Sequence, residues 1–110
     1  MSEFEYLADA NDLPEGTMLG VKRSDGFDIC LFNYRGTIGA VGNECTHAEF
    51  FLSDSYLRKD GTLECAWHGA RFDCRTGRVC RGPAENPIPV FSVRVDDGRV
   101  YVGPKVGVAA

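Results

Sequence analysis

Both histidines of this chain follow a cysteine at short spacing, as Cys45-Thr46-His47 and Cys65-Ala66-Trp67-His68. Seventeen residues lie between His47 and Cys65. Two cysteines and two histidines form a four-ligand set of soft sulfur and borderline nitrogen, suited to zinc or to an iron–sulfur cluster. Cys-x-His and Cys-x-x-His spacings let each pair converge from one tight loop, and the gap is long enough to bring a second loop alongside the first. Gly69, directly after His68, suits a sharp turn there. The alternative is two buried cysteines and two surface histidines that never meet. It leaves unexplained why all the histidine falls into one regular pattern.

A length of 110 residues predicts a single domain with a core of its own. Five cysteines is an odd number. The start, MSEFEYLADANDL, is acidic where a secretory signal would be basic and then apolar. These features predict a cytoplasmic protein whose cysteines are ligands or core residues rather than a disulfide framework. No apolar run approaches the ~20 residues of a membrane span. A formal charge of −4 argues against a nucleic-acid partner.

The apolar runs predict strands. Residues 17–23, 27–34 and 37–41 are short and split by Ser-Asp-Gly and Arg-Gly, which reads as an antiparallel meander. Residues 89–95 and 99–103 flank Asp97-Gly98, the clearest hairpin in the chain. In the first of these, Val90, Ser92 and Arg94 share one face, and Phe91, Val93 and Val95 the other. One stretch reads two ways. Residues 43–60 lack Gly and Pro, and Thr46-x-x-Glu49 has the form of a capping box. Ala48, Phe51, Leu52, Ser55 and Tyr56 follow helical spacing, so local physics permits a helix from His47 to Lys59. Ser53-Asp54-Ser55 is poor material for its interior.

The four-ligand pattern resembles that of the Rieske iron–sulfur family: Cys-x-His, a spacer of roughly this length, then Cys-x-x-His. The likeness covers residues 4–103. FNYRGTIGAVGNECTHAEFFLSD (32–54) and GARFDCRTGRVCRGPAENPIPVFSVRVDDGRVYV (69–102) are similar to the stand-alone ferredoxins of bacterial ring-hydroxylating oxygenase systems. The resemblance implies an all-β, antiparallel Rieske fold: a sandwich or barrel-like base with an inserted cluster-binding subdomain at about 43–84 of a single 1–110 domain. It implies a loop rather than a helix over 46–57. It implies one [2Fe–2S] cluster, with Cys45 and Cys65 on one iron and His47 and His68 on the exposed iron. Pro83 and Pro87 would stiffen a third loop that shields the cluster.

That ligand set implies a neutral oxidised cluster, where four cysteines would leave it at −2. The potential should therefore lie in the range of about −150 to +300 mV. High-potential Rieske proteins of respiratory complexes carry a disulfide over the cluster and serine and tyrosine hydroxyls against its sulfurs. The matching positions here are Phe50 and Trp67 for the disulfide, and Ala70 and Phe72 for the hydroxyls. None can supply those groups, which places the expected potential at the low end. Phe50, Trp67 and Phe72 also suit plain core packing.

The resemblance implies a one-electron carrier, not an enzyme, between a flavoprotein NAD(P)H reductase and a terminal non-haem iron oxygenase of aromatic hydrocarbon catabolism. Docking would be brief and at the His47/His68 tip, with Glu49 placed to help select partners. The oxygenase itself needs two further histidines and a carboxylate on iron, and no histidine remains. Other readings stay open: a structural zinc module, a fixed subunit of a larger enzyme such as nitrite reductase, or a ferredoxin of iron–sulfur assembly. Cys30 reads as a small core residue. Cys74 and Cys80 flank a hairpin turn. Arg71, Arg75, Arg78 and Arg81 read as a solvated face, with partner docking as the alternative.

Overall fold

The structure is a computed structural model that describes residues 4–43, 51–65, 70–81 and 88–106. Among the described residues, ten strands fall in two antiparallel sheets. The large sheet holds β1 (Glu5–Asp9), β2 (Met18–Lys22), β3 (Asp28–Tyr34), β4 (Thr37–Gly42), β9 (Val90–Asp96) and β10 (Arg99–Val106). Its order is β1-β10-β9-β4-β3-β2. The small sheet holds β5 (Tyr56–Leu57), β6 (Thr62–Glu64), β7 (Arg71–Asp73) and β8 (Val79–Arg81), paired in sequence order. The all-β expectation holds, and so do the meander over β2–β4 and the hairpin β9–β10.

Turn chemistry sets the two tightest hairpins. Tyr34 pairs with Thr37 and Asp96 with Arg99, leaving two-residue turns. Arg35 and Gly36 take φ of 53° and 86°, and Asp97 and Gly98 take 51° and 74°. Positive φ at both central positions is the geometry whose twist matches the flanking strands.

The alternation of side chains then builds two cores on the two faces of the large sheet. Ile29 and Leu31 of β3 join Ala40, Phe91, Val100, Val102 and Leu13 in one core. Cys30 and Phe32, their neighbours along the strand, join Val41, the small sheet's Leu63 and Phe72, and Cys74 just after β7 in the other. Residues 29–32 are thus buried on both faces, which is why that run is apolar without interruption. Phe91 and Val93 of β9 face the first core and Val90 the second, while Val95 is left exposed near the strand's end.

Cys30 is a core residue as expected, and burial pushes its thiol up to about 12. Cys74 is buried too, its thiol raised to about 11 by the same desolvation. Cys80 is exposed, and neither Cys74 nor Cys80 is in a disulfide. Residues 51–57 contain one 3-10 turn, Leu52–Asp54, and the two-residue strand β5. The helical spacing there is that of a single turn which places Leu52 inward, with Ser55 and Tyr56 already outside it.

Candidate metal centre

Of the four expected ligands, Cys65 lies among the described residues; Cys45, His47 and His68 lie outside them. Glu49, Phe50, Trp67, Pro83 and Pro87 lie outside them as well. What the structure describes is how the chain is held on either side of the ligand-bearing segments.

Cys65 stands at the end of the β6–β7 hairpin. Thr62, Leu63 and Glu64 pair with Asp73, Phe72 and Arg71. The ladder then continues one step further, where the Cys65 N–H donates to the Ala70 carbonyl at 2.7 Å. Only four residues, His68 among them, separate that pair. Cys65, Ala70 and Phe72 are all buried to within 1% exposure. Beneath the pair, Glu64 accepts from Arg71 Nε at 2.8 Å and from Arg58 Nη1 at 3.0 Å, a partly buried clasp across the hairpin. Arg75 leans on Asp73 at 3.5 Å. Arg71 and Arg75 of the basic run thus each make an ion pair with a carboxylate of the small sheet.

Asn43 closes the first segment, the one that bears Cys45 and His47. Its carbonyl accepts the Leu52 N–H at 2.7 Å, and its side chain bonds both the N–H and the hydroxyl of Ser53. Leu52 is fully buried in the small-sheet core, which stabilises this closure by about 2 kcal/mol. The segment bearing Pro83 and Pro87 is held on its far side. The Ile88 N–H donates to the Gly77 carbonyl at 2.9 Å, and the Gly42 N–H to the Pro89 carbonyl at 2.9 Å. Gly42 directly precedes Asn43, so the end of the third segment meets the start of the first.

Leu52, Cys65, Ala70 and Ile88 belong to one core. All three segments thus leave from, or return to, the same apolar floor, of which Cys65 is itself a buried member. The floor fits a sulfur-ligated cluster screened from water, and the set of two thiols and two imidazoles supplies four ligands for two irons. The floor would suit a thiolate-bound zinc equally well. Among the described residues, no three His, Cys, Asp or Glu side chains gather as a metal site. The residues that hold the segments, Asn43 and Ser53 above all, carry no mark in the sequence beyond a polar pair flanking the first Cys/His motif.

Comparison with known proteins separates the two metals. The model of the Rieske [2Fe-2S] domain matches residues 3–92. The chain is 34% identical over 102 residues to the ferredoxin component of the p-cumate 2,3-dioxygenase system of Pseudomonas putida, covering 93% of this chain and 86% of that one. It is 35% identical over 97 residues to the 3-phenylpropionate/cinnamic acid dioxygenase ferredoxin subunit of Photorhabdus laumondii, covering 88% and 90%. Among solved structures, it matches a chain in the complex of reduced oxygenase and oxidized ferredoxin in carbazole 1,9a-dioxygenase. That match has a TM-score of 0.86 at 29% identity, with 94% of each chain covered. The chain belongs to the Rieske [2Fe-2S] domain family, as an electron-transfer component rather than a catalyst, with one Rieske-type cluster as its cofactor.

Proposed function

We propose that Cys45 and Cys65 hold one iron as thiolates and that His47 and His68 hold the other as imidazoles. They would lie in a cluster-binding subdomain of about 43–84 within a single 1–110 domain. The chain then works in the cytoplasm as a one-electron carrier from a flavoprotein NAD(P)H reductase to a terminal non-haem iron oxygenase. Both partners dock briefly at the His47/His68 tip. The observation that carries this reading is the shared floor: the segments bearing the two Cys/His pairs are anchored on one buried core that includes Cys65 itself. The similar ferredoxin solved together with its oxygenase supports the choice of partner. No helix among the described residues is long and apolar enough to cross a membrane.

When bound, the cluster supplies one-electron redox chemistry. The protein's own residues do the rest. Leu52, Leu63, Ala70, Phe72 and Ile88 keep water from the thiolate side. The Cys65–Ala70 backbone hydrogen bond holds the main chain that carries that sulfur. Neither Ala70 nor Phe72 offers a hydroxyl to the sulfurs, so the reduced state lacks that stabilisation and the potential belongs at the low end of the Rieske range.

Electron paramagnetic resonance of the dithionite-reduced protein tests the reading. The expected result is a rhombic signal with average g near ~1.9, the signature of mixed nitrogen and sulfur ligation. His47→Ala and His68→Ala should each abolish it. A silent spectrum with stoichiometric zinc in anaerobically isolated protein would overturn the reading in favour of a structural zinc module.

A further inference from the structure

Asn43 is the one buried polar side chain among the described residues, at 4% exposure. A buried amide without partners costs about 1–3 kcal/mol, yet here four hydrogen bonds satisfy it and its backbone. Its N–H donates to the Asp28 carbonyl at 3.0 Å, which anchors it to the start of β3. The other three bonds all go to residues 52–53. The carbonyl accepts from Leu52 N–H at 2.7 Å, Oδ1 accepts from Ser53 N–H at 2.8 Å, and Nδ2 donates to Ser53 Oγ at 2.9 Å. Asn43 thereby ties the residue before the first ligand-bearing segment to the residues just after it.

The tie has no slack. A Cβ on Gly20 of β2 would stand 2.6 Å from Ser53 Oγ and 2.8 Å from Asn43 Nδ2. Any larger residue at position 20 pushes the pair apart. Two side-chain and two main-chain bonds at one residue, packed against a bare glycine, are more than closing a surface turn requires. One residue, Glu44, separates Asn43 from Cys45, so a rotation at Asn43 is transmitted to that ligand with little chain to absorb it.

We propose that Asn43 is a positioning residue for the cluster, which it serves through Ser53 and against Gly20 by setting where Cys45 and His47 stand. The proposal rests on the assignment of those two residues as ligands. Its effect is on the cluster's retention and electronic environment, beyond its effect on folding.

Asn43→Ala removes both side-chain bonds and orphans the Ser53 N–H. Ser53→Ala removes one bond and keeps the other. Asn33→Ala is the matched control. Asn33 on β3 also makes two side-chain bonds, to the Leu13 carbonyl and from the Gly36 N–H, each at 2.9 Å, remote from the ligand segments in sequence. Iron release to an anaerobic chelator, the resonance spectrum and urea stability are measured for all four proteins. Asn43→Ala should release iron about ten- to a hundredfold faster than the unsubstituted protein, with shifted or broadened g-values. Ser53→Ala should fall between, and Asn33→Ala should lower urea stability while leaving release and spectrum unchanged. If Asn43→Ala fails to fold, Ser53→Ala against Asn33→Ala carries the comparison. Iron release and spectra that track urea stability alike in all variants would reduce Asn43 to a folding residue and overturn the proposal. A silent spectrum in the unsubstituted protein would instead overturn the ligand assignment beneath it.

Discussion

Phe72 lies one diagonal step from Cys65 across the β6–β7 ladder. Leu63 faces Phe72, Cys65 lies two residues beyond Leu63 on the same face, and Ala70 pairs with Cys65. Diagonal neighbours on one sheet face are within reach of an aromatic side chain. A hydroxyl added to this ring is therefore well placed to meet ligand sulfur, and it would favour the reduced, more negative state. A hydrogen bond worth about 1 kcal/mol more in that state corresponds to roughly 40 mV for one electron. Phe72→Tyr should raise the potential by up to that amount in a redox titration. It should also cost stability, since Phe72 is fully buried and an added atom strains a filled core. An unchanged potential with the resonance signal intact would show that the hydroxyl finds another partner. The Cys-x-His and Cys-x-x-His pattern was legible at this scale, because metal chemistry restricts residue type and loop closure restricts spacing. Asn43 was not. An asparagine after Val41-Gly42 reads as an ordinary strand end, and its worth lies in partners ten residues away that only folding brings near.

At the scale of elements, legibility followed length. β3, β4, β9 and β10 run for six to eight residues, enough for alternation and turn residues to speak. The strands of the small sheet run for two or three, too short for any period, and of them only the turn between β7 and β8 was visible. That turn contains more than a reversal. Gly77 takes φ of 75°, and a Cβ there would stand 2.1 Å from the Ile88 carbonyl oxygen. The β7–β8 turn thus grips the chain as it returns from the segment bearing Pro83 and Pro87. Gly98, at φ of 74° with open space around it, isolates the backbone cost alone. Gly98→Ala should cost about 1–2 kcal/mol. Gly77→Ala should cost about 1–3 kcal/mol more, because the clash is with backbone that cannot swing aside. Urea denaturation of the two variants, run side by side, checks this. Equal losses would mean that the Gly77–Ile88 approach relaxes without penalty.

For the whole molecule, the division into two cores predicts where the cofactor's contribution to stability falls. The core of Ile29, Leu31, Ala40, Phe91, Val100 and Val102 is made by strands of the large sheet with Leu13, and contains no ligand. The other core holds Cys65 and the anchors of all three segments, and its small-sheet strands are too short to be stable as a sheet of their own. Binding energy from the cluster is folding energy for whatever its ligands tie together, here the small sheet that carries Cys65. Removing iron should therefore leave amide exchange slow in the β3–β4 and β9–β10 pairs and speed it in β5–β8. β3 and β4 contribute to both cores, so their amides report whether the division is real. They should keep the protection given by ladder bonds on either side, while Leu63 and Phe72 on the small sheet lose theirs. Hydrogen exchange read by mass spectrometry on the loaded and iron-free protein makes the comparison. A uniform loss of protection across both sheets would mean that the cores fold as one cooperative unit and that the cluster supports the whole molecule.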